Sequence, residues 1–397
     1  MFSPSLFDSY FLGGFECSTH RRRNGRRLDL LATTGHDQAV AQDYRWMVQH
    51  GIRTVRDGVR WHLIETSPGC YDWSSFLPML HASRDAGVQV IWDLCHYGWP
   101  DDIDIWTPAF VERFSGFARA VATLVHNETD ATSFYCPVNE ISYWSWAGAE
   151  VARFNPLARG RGYELKHQLV RAAIAAIEAI WSVDSRARIA QVDPVIHIVA
   201  RPDRPRTRRP AEDHRRAQFQ SWDMLSGRLS PGLGGMPKYL DILGVNYYSN
   251  NQWFLGGGTI KLGHPLYRPF REILAEVHQR YERPLFVAET GAESEARAPW
   301  LRYVAGEVRA AVEAGLPVEG ICLYPITDYP GWTNGRHCKV GLLGLLDNQT
   351  QRAVYQPLAD ELSLQQAIFD GLFRNQEPRV DITNMVVGDA IYRTGSS

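Results

Sequence analysis

Cys136-Pro137-Val138-Asn139-Glu140-Ile141-Ser142-Tyr143-Trp144 ends a β-rich run on an Asn-Glu pair and then passes into aromatics. The pattern is that of a strand delivering an acid at its C-terminal end. Phe286-Val287-Ala288-Glu289-Thr290-Gly291 repeats it far downstream, a short apolar run closing on Glu and then Gly. What lies around these two stretches decides the fold.

Working back toward the N-terminus, strand-like runs fall at 11–17, 54–59 and 88–94. Between them, 37–50 has helical spacing, with Val40, Tyr44, Met47 and Val48 on one face and Gly51 as a stop, and 74–86 reads as a second helix. Working forward, helices are expected at 107–126, 162–181, 212–225, 269–281 and 298–314, with strands at 133–138, 188–192, 240–246, 285–288 and 320–324. A helical run at 358–373 follows. Eight strands alternating with helices are the signature of an α/β chain folded as a single (β/α)8 TIM barrel with loop insertions, covering 1–397. Length alone would equally allow two domains.

Two segments stand outside the alternation. The Arg/Pro-rich stretch 201–216 reads as an exposed, partly extended and solvated loop. The tail 375–397 has weak periodicity and reads as a strap across the barrel or as partly disordered chain.

The net charge of -2 gives no electrostatic reason to expect nucleic acid or a membrane surface as partner. The first residues lack a basic region and a continuous apolar segment, and no run approaches the roughly 18 apolar residues of a membrane span. A cytoplasmic protein is expected. Cys17, Cys70, Cys95, Cys136, Cys322 and Cys338 show no CxxC spacing, and four of them fall inside or directly after expected strands. They read as reduced core residues rather than a zinc site.

Barrels of this kind carry their chemistry at the C-terminal ends of the strands. Those ends supply Arg56 and Asp57, His96, Asn139 and Glu140, Asn246, Tyr247 and Tyr248, Glu289, and Tyr324 and Asp328. Acids on strands four and seven face each other across a barrel mouth. Two facing carboxyls are what glycosidic cleavage requires, one giving a proton to the leaving oxygen while the other attacks or activates water.

On these residues the chain resembles glycoside hydrolase family 1 and, more loosely, the wider clan of retaining (β/α)8 glycosidases. Pro137-Val138-Asn139-Glu140 is similar to the family's acid/base motif, and Val287-Ala288-Glu289-Thr290-Gly291 to its nucleophile motif, with Thr290 where the family has Asn. Arg56 precedes Trp61 at the family's spacing. His96-Tyr97-Gly98-Trp99-Pro100 and Leu243-Gly244-Val245-Asn246-Tyr247-Tyr248 match further motifs in order.

The resemblance implies a retaining β-glycosidase of the β-glucosidase type, free of cofactor and metal, acting on a carbohydrate or glycoside. Glu289 would be the nucleophile, held and oriented by Arg56 and the Tyr248 hydroxyl. Glu140 would be the acid/base, kept protonated by the charge of Glu289 and by the aromatics Tyr143, Trp144 and Trp146. Asn139 would bind the sugar 2-hydroxyl, with His96, Asn246, Tyr324 and Trp332 completing the substrate contacts. A carboxyl separation of about 5 to 5.5 Å belongs to this mechanism, against roughly 6.5 to 9.5 Å for inversion.

The chain departs from the family where the outer sugar hydroxyls are gripped. Positions near His20 or Arg21 and at Gly331 lack the family's Gln and Glu, and Tyr324 replaces a Trp. The run His20-Arg21-Arg22-Arg23 reads as loop surface charge, with recognition of an acidic sugar as the alternative. Three rival readings stay open: a carbohydrate-binding protein without turnover, a transglycosidase, and a metal-dependent hydrolase using His96, His62, Asp93 and Glu140.

Overall fold

The computed structural model describes residues 4–348 and 351–374; the tail 375–397 lies outside them. Eight parallel strands close into one barrel. In chain order they are β1 (Phe11–Gly14), β2 (Thr54–Gly58), β3 (Gln89–Asp93), β4 (Phe134–Cys136), β5 (Arg188–Pro194), β6 (Ile242–Asn246), β7 (Leu285–Thr290) and β8 (Val318–Leu323). Each pairs with its sequence neighbours, and Phe11 to Gly13 of β1 pair with Ile321 to Leu323 of β8 to shut the ring.

The crossovers carry α1 (His36–Gln49), α2 (Leu77–Ala86), α3 (Pro108–Glu128), α4 (Gly162–Trp181), α5 (Gln220–Leu225), α6 (Phe270–Tyr281) and α7 (Arg297–Glu313), and α8 (Gln356–Arg374) follows β8. Helix α3 shows why they lie down on the barrel. Pro108 starts it, and Phe110, Phe114, Phe117, Val121 and Val125 form a buried stripe at helical spacing. That stripe packs beside α4, whose Leu165, Leu169, Ala173, Ala176 and Ile180 supply the facing side. Inside the ring, Leu12, Ile91, Phe134, Val192, Phe286 and Cys322 belong to a separate apolar filling. Phe7 caps it from below, its ring 5.7 Å from that of Phe134 and 5.2 Å from that of Phe286.

The eight-strand barrel is the expected one, with strand ends that shift for local reasons. β4 stops at Cys136 because Pro137 has no N–H to donate. β7 runs past Ala288, so Glu289 lies within the strand, next to a register shift between Val287 and Glu289. The 201–216 stretch differs more. It is largely exposed as expected, but Arg208–Arg216 is a helix rather than extended chain. Glu212 pairs with Arg215 and Arg216 at helical spacing, and such contacts support a helix that buries only Ala211. The helix expected over 212–225 is accordingly two, joined by a tight turn at Ala217–Phe219.

All six cysteines are free, with Cys70 exposed and the others buried. Among the described residues, no helix is long and apolar enough to cross a membrane.

Candidate active site

The strand ends gather one hydrogen-bonded cluster. Arg56, in the middle of β2 and fully buried, is its hub. Its Nη1 donates to Glu289 Oε1 at 3.1 Å and to the Ala288 carbonyl at 2.9 Å, while Nη2 donates to Asp93 Oδ2 at 2.7 Å and Asn139 Oδ1 at 3.0 Å. A buried guanidinium is tolerable only with carboxylates around it, and here it has two. The Tyr248 hydroxyl donates to Glu289 Oε2 at 3.0 Å, so both oxygens of that carboxylate are held. Asp57, the neighbour of Arg56, points the other way, to His36 at 2.7 Å and the Tyr44 hydroxyl at 2.7 Å.

Glu140 takes its position from an unusual backbone. It directly follows Asn139 beyond β4 and opens the short helix Ile141–Trp144 with φ 48°, in the left-handed region. Such a conformation costs a non-glycine residue about 1–3 kcal/mol and has to be imposed by its surroundings. Here Glu140 N donates to Val192 O of β5 at 3.0 Å, and Asn139 N to Cys95 O at 3.1 Å. The side chain then meets two donors: Asn246 Nδ2 at 2.9 Å on Oε1, and the Tyr97 hydroxyl on Oε2. In the sheet Asn246 is the register partner of Glu289, which brings the contacts of both acids to one point of the rim.

Burial pushes the Glu140 carboxyl up to about 8, and the negative charge of Glu289 pushes in the same direction. The hydrogen bonds from Tyr97 and Asn246 oppose this without cancelling it. The shielding differs in part from the expected aromatics. Trp144 is buried and donates its indole N–H to Asn155 O at 3.0 Å, but Trp146 is exposed and lies under the Arg153 guanidinium. Tyr97 is the ring that reaches Glu140.

His96 completes the cluster. Its Nδ1 lies 3.1 Å from Asp93 Oδ2 and 3.2 Å from Cys17 Sγ, and its Nε2 lies 3.0 Å from Asn139 Nδ2 and 4.0 Å from Glu16 Oε1. Burial alone would lower its basicity, but Asp93 and Glu16 raise it above the usual histidine value. The Tyr324 ring stacks on His96 at 6.2 Å and 4° and lies against Arg56. Gly14 makes room for it, since a Cβ there would stand 2.1 Å from Tyr324 Cδ2. The Tyr324 hydroxyl and Asn246 Oδ1 are buried without a partner, two polar positions that a hydroxyl-bearing ligand could satisfy.

Of the residues expected from sequence, Glu140, Glu289, Arg56, His96, Asn139, Asn246, Tyr248 and Tyr324 come together in this cluster. Trp332 stands apart from the acids, its ring 4.7 Å from His20 and 5.7 Å from Tyr97. Sequence reasoning gave no role here to Tyr97 or Cys17, and considered Asp93 only as a metal ligand. Asp93 ends β3 and Tyr97 follows the strand-end His96, so their positions were signals. The contact of Cys17 with His96 crosses the ring and leaves no mark in either local sequence.

The metal reading loses two of its four proposed ligands. Among the described residues the possible metal-binding group is Cys17, Asp93 and His96, without His62 or Glu140. His62 sits beside Asp29 at 3.8 Å, and Asp93 Oδ2 is already taken by Arg56.

No protein-family model matches the chain, and no curated relative does. Solved structures do. The chain is similar to a β-glucosidase from Thermotoga maritima in complex with glucoimidazole, with a TM-score of 0.74, 14% identity, and coverage of 91% of this chain and 98% of that one. It is also similar to the AHE enzyme from Alicyclobacillus herbarius, with a TM-score of 0.75, 17% identity, and coverage of 93% and 99%. A further structure, the family 1 β-glucosidase from Thermotoga maritima, gives a TM-score of 0.72 and 14% identity, covering 92% of this chain and 98% of that one. The fold resembles that of family 1 β-glucosidases over nearly the whole chain.

Proposed function

We propose that the chain is a retaining β-glycosidase that cleaves by double displacement. The observation that carries this reading is the unequal environment of the two carboxyls. Both are buried, but burial pushes the Glu140 carboxyl up to about 8, whereas Glu289 accepts hydrogen bonds from the Arg56 guanidinium and the Tyr248 hydroxyl. The likeness to β-glucosidase structures supports the choice of a glycoside as substrate.

In the first step Glu289 attacks the anomeric carbon as Glu140 gives its proton to the departing oxygen, leaving a glycosyl ester on Glu289. The ester has no negative charge, so one of the two influences that kept Glu140 protonated is gone. The donors Tyr97 and Asn246 then favour its carboxylate, which takes a proton from water as water attacks the ester. Glu289 leaves as it entered, an anion on Arg56.

Aryl β-glycosides assayed with Glu289→Ala, with and without azide, test the reading. Restored turnover that yields a glycosyl azide of inverted configuration is expected. Activity in Glu289→Ala equal to that of the parent chain, without azide, would remove Glu289 from the mechanism.

A further inference from the structure

Beside the acid cluster lies a cavity of about 530 Å³ whose walls join an aromatic side to a strongly basic one. Trp332 and Tyr143 form part of the first, and Arg22, Arg23 and Arg153 the second. Among the described residues no carboxylate lines it. None of the three arginines forms an ion pair among the described residues, although their neighbours Arg21 and Arg27 both pair with Asp101. Arg22 Nη2 donates to the Gly331 carbonyl at 3.2 Å, while its Nε is buried without a partner, as are Trp332 Nε1 and His20 Nδ1.

The basic wall is fixed rather than a loose loop. Arg22 bridges Phe154 through the backbone, Arg21 N donates to Asn155 Oδ1 at 2.6 Å, and Arg23 Nε donates to Ala152 O at 2.7 Å. The loop bearing Arg22 and Arg23 is thereby tied to the one bearing Arg153. Tyr143 and Trp332 each contact the Tyr97 ring, at 6.1 Å and 5.7 Å, and Tyr97 donates to Glu140. One aromatic ring separates the cavity from the acid.

Like charges held together without counter-charge repel one another, and an oxyanion placed among them relieves that repulsion while accepting their N–H groups. We infer that the substrate is a glycoside bearing an oxyanion, a carboxylate, sulfate or phosphate ester, which this arginine cavity recognises. The inference rests on the glycosidase reading above, and its test separates the two.

The substrates are 4-nitrophenyl β-glucoside, β-glucuronide, β-glucoside 6-phosphate and β-glucoside 6-sulfate, with 4-carboxyphenyl β-glucoside placing the charge on the leaving group instead. One charged substrate is expected to exceed the neutral glucoside in kcat/KM by at least about tenfold, a preference that weakens as salt is added. Arg22→Gln and Arg153→Gln should each reduce the charged-to-neutral ratio by about tenfold. In parallel, calorimetry measures binding of glucuronate, glucose 6-phosphate, glucose 6-sulfate and 4-carboxyphenyl β-glucoside to Glu289→Gln and to the same chain with Arg153→Gln. Turnover of the neutral glucoside equal to or above every charged one would overturn the oxyanion inference and leave the glycosidase reading intact. Charged sugars bound through Arg153 but no glycoside cleaved would do the reverse. Preference unchanged in both arginine variants would also overturn it.

Discussion

The Tyr97 hydroxyl donates a hydrogen bond to Glu140 Oε2, and both residues stand on left-handed backbone, at φ 69° and φ 48°. Two strained positions thus aim at each other across the rim, and the bond acts on proton affinity. It stabilises the charged form of a carboxyl that burial holds protonated. Replacing Tyr97 by Phe should therefore raise the Glu140 value further. The alkaline limb of the pH–rate profile should move up by about one unit, equivalent to roughly 1.4 kcal/mol, and breakdown of the glycosyl-enzyme should slow. Pre-steady-state assays should show a larger burst; a limb that stays in place would contradict the assignment.

In the parent chain, kcat/KM for a glycoside with a poor leaving group should fall as pH rises through about 8, where the Glu140 proton is lost. Glu140→Gln should remove that limb. A dinitrophenyl glycoside, whose leaving group needs no proton, should show little of it in the parent chain.

Asp93 is shared by Arg56 and His96, and its removal leaves a buried cation short of a counter-charge. Asp93→Ala should lower stability by about 3–5 kcal/mol in urea unfolding, and kcat/KM by more than Asp93→Asn does. An Ala variant as stable and as active as the parent would show that Asp93 does not position Arg56.

Gly14→Ala tests the Tyr324 stack. Its Cβ needs the space of Cδ2, so the ring has to leave its place against His96 and Arg56. A stability loss of about 1–3 kcal/mol is expected, together with a raised KM, measurable by thermal unfolding and steady-state assay.

His36, between Asp57 and Asp43, affords a pH test of stability away from the acids. Burial opposes its charge, but Asp57 and then Asp43 outweigh that and bring it to about 9 from 6.5. A raised value stabilises the fold fully below pH 6.5, and the contribution fades as pH climbs through about 9. Unfolding free energy should drop by roughly 3 kcal/mol over that range, with a flatter profile in His36→Gln. Equal slopes in the two chains would sink the idea.

The barrel was legible because strand and helix periods alternate along the whole chain, and the strand-end rule then placed eight of the expected residues in one cluster. What sequence missed is tertiary. That Arg56 chooses Asp93 and Glu289 over adjacent Asp57 depends on which face of β2 each residue occupies. That Tyr97 turns in while Trp146 turns outward depends on the irregular chain after β3 and after β4 respectively. The helix at Arg208–Arg216 was obscured by its Arg and Pro content, because charge pairs three and four residues apart do the work that an apolar stripe does elsewhere.

The ring closes late. Glu140 and Glu289 both lie ahead of Val318–Leu323, the strand that meets Phe11–Gly14 and turns an open sheet into a barrel. A nascent chain ending before residue 318 would hold both acids but not their enclosure, and ring-closing contacts between distant parts of a chain are slow to form. Enclosure of the two acids is therefore a property of the whole chain: the strand that shuts the ring comes after both of them, and neither stretch that carries an acid can supply it.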